Sequence, residues 1–112
     1  MVKVIALLNR KPGMTREAFK RRWLDEHLKL SSQIPNLLGY YVNIAIDHQP
    51  EGDGVQPMFD GTAELWFKDI ETMEAAFASE KGAIAGEDAD SFASVRIHIY
   101  TEEHTVIPGP VR

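Results

Sequence analysis

Val2-Lys-Val-Ile-Ala-Leu-Leu-Asn-Arg-Lys-Pro-Gly-Met-Thr-Arg-Glu-Ala-Phe-Lys-Arg-Arg-Trp-Leu-Asp-Glu-His27 decides how the rest of the chain is read. Residues 2 to 9 form a continuous apolar run with β-branched members, the pattern of a strand buried on both faces. Lys11-Pro-Gly-Met14 is a turn, and Thr15 is a good N-cap for a helix of about 15 residues, with Glu17 favourably placed in its first turn. Phe19, Trp23 and His27 recur every four residues and Leu30 follows, so all four are expected on one inward face. An imidazole on that face needs a hydrogen-bond partner or is destabilised by desolvation. His27 is therefore either a satisfied core residue or a titratable group in a pocket.

Reading onward, Pro35 and Gly39 break the helix and Tyr40-Tyr-Val-Asn-Ile-Ala-Ile-Asp47 is a second strand. The glycines and prolines of residues 48–59 exclude regular structure and exceed a tight hairpin, leaving a lid or a solvated flap. Gly61-Thr-Ala-Glu-Leu-Trp-Phe67 is a third strand. Asp69 caps a second helix through Ile70, Met73, Ala76 and Phe77; Gly82 and Gly86 are expected to break or end it, and Asp88–Phe92 to form a short further turn. Ser94-Val-Arg-Ile-His-Ile-Tyr-Thr101 alternates strictly, as a strand with two different faces does.

The order βαββαβ predicts an α+β, ferredoxin-like sandwich, with both helices on one face of a four-stranded antiparallel sheet. The other face retains too many large apolar residues to be left wet, and a face-to-face homodimer would cover them. The chain reads as one domain over residues 1–104 with a proline-rich tail over 105–112.

Composition narrows the function. A net charge of −5 and a pI near 5.3 argue against nucleic acid as a partner. Lys20-Arg21-Arg22, with Arg16, reads as the solvated face of the first helix. No apolar run is long enough to span a bilayer, and the amino terminus reads as a strand rather than a signal peptide, so a cytoplasmic location is expected. There is no cysteine for thiolate chemistry. Histidines 27, 48, 98 and 104 lack paired ligand spacing, so no metal site is expected. No glycine-rich phosphate loop follows a strand, and Ser31-Ser32 lacks a nucleophile-elbow context.

Several segments resemble the EthD family of dimeric α+β barrel proteins. They are Arg10-Lys-Pro-Gly-Met-Thr15, then Phe19, Trp23 and His27, then Ile34-Pro-Asn-Leu-Leu-Gly-Tyr40. Asp60-Gly-Thr-Ala-Glu-Leu-Trp-Phe67, Asp90-Ser-Phe92 and Glu103-His-Thr-Val follow in order. That family takes its name from a protein accompanying an ether-degrading monooxygenase system. Members and close relatives include methylmuconolactone methyl-isomerases and enzymes that decarboxylate or dehydrate aromatic polyketides, and the wider dimeric α+β barrel group adds cofactor-free monooxygenases and polyketide cyclases. The resemblance implies a small, often aromatic or lactone ligand held between helix one and the sheet, without metal or nucleotide.

His27 matches the family's helix-one histidine, and its implied role is general acid or base. The structural alternative is a core histidine bonded to a backbone carbonyl. Glu64 lies mid-strand, and parity groups it with Thr62 and Trp66 on the barrel side, away from the helices. There it would partner a histidine or act as a second base, unless it forms a salt bridge, for instance to Arg96. On the last strand, Val95, Ile97 and Ile99 are expected to meet the helices. Arg96, His98 and Tyr100 would then face the barrel and bind an anionic or carbonyl-bearing ligand, or else be solvated at a wet edge. Tyr40 and Tyr41 point to opposite faces, and the family pattern selects Tyr40 for the cavity. Trp23, Tyr40 and Trp66 would shape it. The function expected is a cofactor-free isomerase, lyase or cyclase acting by proton transfer on a small hydrophobic or aromatic metabolite. The alternative is a non-enzymatic protein that binds such a compound and serves a monooxygenase or degradation pathway.

Overall fold

The computed structural model describes residues 1–110; residues 111 and 112, the end of the expected tail, lie outside the described residues. The elements are β1 (Val2–Arg10), α1 (Arg16–Arg21), a π-helical segment (Arg22–His27), α2 (Leu28–Ser31), β2 (Gly39–Ile44), β3 (His48–Gln49), β4 (Gly52–Asp53), β5 (Gly61–Phe67), α3 (Ile70–Ala78), α4 (Glu80–Phe92) and β6 (Ala93–Thr101). The main sheet is four-stranded and antiparallel in the order β2-β5-β1-β6, so the apolar first strand takes a central place. The helices cover one face of it, and the fold is the expected ferredoxin-like sandwich.

Strand periodicity sorts the side chains. Val2, Val4, Ala6 and Leu8 of β1 and Ala63, Leu65 and Phe67 of β5 are buried beneath the helices. Their alternates Ile5, Leu7, Thr62, Glu64 and Trp66 are half-buried on the outer face. Strand β1 is thus buried on one face within the chain, not on both. Under the helices, Phe19 meets Trp23 edge-on at 5.5 Å between ring centroids, and Phe92 packs 5.6 Å from Phe19. Each such ring contributes on the order of 1.5–3 kcal/mol by leaving water.

Two further expectations differ from the fold. Glycine does not break the second helical region. Helix α3 ends at Ser79, whose side chain accepts from the Gly82 amide and starts α4, and α4 then runs through Gly82 and Gly86. Gly82 is required by packing, since a Cβ there would strike the Ala76 carbonyl and the Phe77 backbone. Residues 48–59 are not wholly irregular either: β3 and β4 form a small hairpin, closed by a 2.7 Å His48–Asp53 hydrogen bond.

Helix one differs from its expected facing as well. Leu30 is exposed, and Ser31, at 2 % exposure, continues the inward stripe of Phe19, Trp23 and His27. An α-helix advances about 100° per residue, so a four-residue repeat drifts about 40° per step off any face. The wider turns of Arg22–His27, where the Leu28 amide reaches the Trp23 carbonyl, offset that drift. Four side chains spaced by four therefore stay on one face.

Candidate functional site

The inward stripe opens onto a cavity of about 500 Å³ between the helices and the sheet. Its apolar floor is Ala6, Leu8, Ala63 and Leu65, and Trp23 walls one side. On α4, Gly82, Ala85, Gly86 and Ala89 stand where larger residues would fill the space. His27, Ser31, Tyr40, Arg96, His98 and Tyr100 supply the polar groups.

His27 is held from α4. Its Nδ1 lies 2.8 Å from Asp88 Oδ2. Arg22 grips the same carboxylate with a fork, at 2.6 Å to Oδ1 and 3.1 Å to Oδ2. The Arg22 guanidinium also lies 4.8 Å over Phe92, and the imidazole meets that ring edge-on at 5.2 Å. Hydrogen bonding by Arg22 keeps the Asp88 carboxyl below its ordinary range, so it is ionised and can only accept. Nδ1 therefore carries the proton and Nε2 holds the lone pair. The hydrogen bond to Asp88 is the one His27 makes among the described residues, and none of their buried polar side-chain atoms lacks a partner. Nε2 is accordingly the atom presented to the cavity. Burial lowers the His27 pKa from 6.5, with Arg22 and Arg96 adding to the effect and Asp88 opposing it. The ring is neutral near pH 7, in the state a general base requires.

Ser31 and Tyr40 form a second pair, their oxygens 2.8 Å apart. Burial pushes the Tyr40 phenol up, against its contacts with Ser31 and Trp23, so it remains a proton donor at neutral pH. On β6, Arg96 is opposite Leu8 and His98 opposite Ala6, which puts both on the helix side. Arg96 donates from Nε to Asp90 at 3.1 Å. The His98 ring stacks on Phe77 at 6.0 Å, and this packing, with the nearby Arg96 charge, lowers its pKa.

Trp23, His27, Tyr40, Arg96 and His98 are thus brought together around one cavity. The expected facing of β6 is reversed, however. Val95, Ile97 and Ile99 lie on the outer face, while Arg96, His98 and Tyr100 face the helices. Polar groups survive there because small residues on α4 leave a cavity over them and because β6 is an edge strand, on which His98 and Tyr100 are exposed to water and only Arg96 is half-buried. Glu64 and Trp66 are not brought to His27. Both lie on the outer face, where Glu64 pairs with Lys3 at 2.6 Å and accepts from Asn43 at 3.1 Å. Trp66 lies beneath Lys3, 4.5 Å from its ring centroid, and donates to Glu103 at 3.2 Å. The ion pair weighed for Glu64 exists, but with Lys3; Arg96 is across the sheet.

Asp88 was missed by sequence reasoning. Its signal was the i, i+4 spacing to the aromatic Phe92 beside Ala85 and Ala89, which places a carboxylate on an inward helix face. Ser31 was signalled by the same four-residue repeat that marks His27. No residue of the 48–59 loop lines this cavity, so in this conformation the loop is not its lid.

A family model described as "EthD domain" matches residues 11–96. The chain belongs to the EthD family. A curated relative from Rhodococcus erythropolis, an uncharacterized 11.0 kDa protein in the thcB-thcC intergenic region, is 32% identical over 92 residues, covering 81% of this chain and 85% of that protein. The crystal structure of an EthD-family protein from Bacillus halodurans superposes with a TM-score of 0.78 at 30% identity, covering 93% of this chain and 99% of the other. A dimeric protein of unknown function with a ferredoxin-like fold, from Bacteroides fragilis, gives a TM-score of 0.66 at 12% identity over 91% of this chain and 95% of that one. At that identity the likeness is one of fold. Among the described residues of this EthD-family chain, no group of three or more His, Cys, Asp or Glu could hold a metal, and no helix is long and apolar enough to cross a membrane.

Proposed function

We propose that this EthD-family protein is a cofactor-free enzyme that moves a proton on a small hydrophobic or aromatic metabolite, working as a homodimer. The chemistry is isomerisation, cyclisation or lyase action. The observation that supports it is the state of His27: Nδ1–H is fixed on Asp88, and a neutral Nε2 is turned to an apolar cavity. In that arrangement Nε2 takes a proton from an activated carbon of the ligand, and Asp88 steadies the imidazolium that forms. The proton is then returned to another atom of the same molecule, leaving the enzyme unchanged. Tyr40, supported by Ser31, is placed to donate a hydrogen bond to a carbonyl oxygen that gains charge as the proton leaves. Asp88 acts through His27, and its role is positioning.

The test is solvent-deuterium exchange, followed by NMR, into a panel of aryl ketones and unsaturated lactones. His27→Ala should slow exchange about a hundredfold or more while the cooperative fold persists. Equal rates in both proteins would remove His27 from the chemistry. Tight binding without exchange of any probe would instead favour the accessory-protein reading, in which the cavity only carries its ligand.

A further inference from the structure

Arg96 is the one lysine or arginine among the described residues that line the cavity, and the transfer of one proton does not use it. Arg96 enters it from β6 with its side chain 26% exposed, and its only hydrogen bond among the described residues runs from Nε to Asp90. Its terminal nitrogens lie over Gly86, where a Cβ would sit 3.6 Å from one and 3.9 Å from the other. A guanidinium held by Nε keeps its NH₂ pair as a preformed fork, which matches a planar carboxylate better than any neutral oxygen. His98, exposed on the edge strand, stands two residues along the same face with its ring stacked on Phe77.

Two acids also line this cavity, Glu87 and Asp90. Both are exposed, and the Asp90 side chain is 66% accessible, so water screens them. Arg96 stands deeper, at 26% side-chain exposure, where the dielectric is lower and its charge acts more strongly. Arg96 is close enough to depress both cavity imidazoles. A bound anion would meet this field with its charge while its hydrocarbon body covers Ala6, Leu8, Ala63 and Leu65.

The geometry points to a carboxylate subsite built from the Arg96 NH₂ fork and His98, making the ligand of this cavity an aromatic or hydrophobic carboxylic acid. This rests on the reading of the cavity as a small-molecule site, and narrows it to a substrate class. An acid bound in this way lays its ring along the apolar floor and brings its far carbons under His27 Nε2.

The experiment is isothermal titration of the intact protein at pH 7 with 2-naphthoate and its neutral isostere 2-naphthamide. The wild type should bind naphthoate at least tenfold more tightly. Arg96→Gln should abolish that preference, weakening naphthoate at least tenfold more than naphthamide, and Arg96→Lys, which keeps the charge but loses the fork, should restore part of it. Equal affinities in the wild type, a preference that survives Arg96→Gln, or binding of neither probe at millimolar concentration would each overturn the subsite. His27→Gln separates the two proposals. It should keep the carboxylate preference while deuterium exchange is lost, so either proposal can fail with the other intact.

Discussion

At the scale of single residues, His27 makes the most specific claims. Its pKa in the fold lies below the 6.5 of an unfolded chain, with burial the main cause. Between those two values the unfolded chain binds more protons, so stability rises with pH there. Stability should thus be complete above about pH 6.5 and decline as pH falls through the folded value. Asp88, lowered from 3.8 by Arg22, contributes stability that is present above that value and lost only at more acid pH. His98 is shifted in the same sense as His27. Urea midpoints measured from pH 8 to pH 4 should decline below 6.5, less so in His27→Gln and least in the double variant with His98→Gln. An unchanged slope in the double variant would place the titration elsewhere. For Asp88→Asn, an amide that can donate as well as accept no longer fixes the tautomer, and loss of the carboxylate charge removes the influence raising the imidazole pKa. Exchange activity should drop about tenfold or more, and the acid limb of its pH profile should move to lower pH. A rate loss with an unmoved limb would mean Asp88 serves only the fold. His27 was legible in the sequence because a polar residue on an apolar stripe stands out. Asp88 was not, because its helix was read as broken at the glycines.

At the scale of elements, the two glycines of α4 do different jobs, and substitution should separate them. Gly82→Ala sets a methyl against the backbone of Ala76 and Phe77, so it should cost about 1–3 kcal/mol by overpacking. Gly86→Ala meets only the Arg96 side chain at ordinary contact distance, and its gain in helix propensity should add about 0.5–1 kcal/mol. Urea unfolding of the pair reads both signs; destabilisation of equal size would refute the assignment of Gly82 to the α3–α4 turn. Propensity alone treats these glycines alike, which is why the sequence suggested a break at each. The facing of β6 was misjudged for a related reason. Alternation shows that two faces differ, but which one meets the helices depends on what those helices carry. Here α4 carries Gly82, Ala85, Gly86 and Ala89, which accommodate Arg96 and His98, and Ile97 is left to the outside. The π-helical turns are a tertiary outcome too, and a 3.6-residue template could not separate Leu30 from Ser31.

At the scale of the whole molecule, the sheet separates assembly from chemistry. Element order, helix-one capping and the parity of β5 were enough to read the sandwich and to assign Glu64 and Trp66 to the outer face. What parity could not supply was the side on which the cavity opens. The outer face presents Val95, Ile97 and Ile99 at 36%, 44% and 47% exposure, beside half-buried Ile5 and Leu7. A second copy packed on this stripe would withdraw it from water, and the stripe is a patch of the kind that marks an interface. Ile97→Lys places a charge at its centre, where pairing would leave an ammonium desolvated. Sedimentation should find the wild type at twice the 12.6 kDa chain mass and the variant at the mass of one chain. Because His27, Asp88 and Arg96 all lie on the helix side, the variant that still folds should keep its preference for naphthoate over naphthamide. A dimer unmoved by Ile97→Lys would put the interface elsewhere. A monomer that loses the preference would mean that the partner subunit, across the sheet, shapes the cavity as well as covering the stripe.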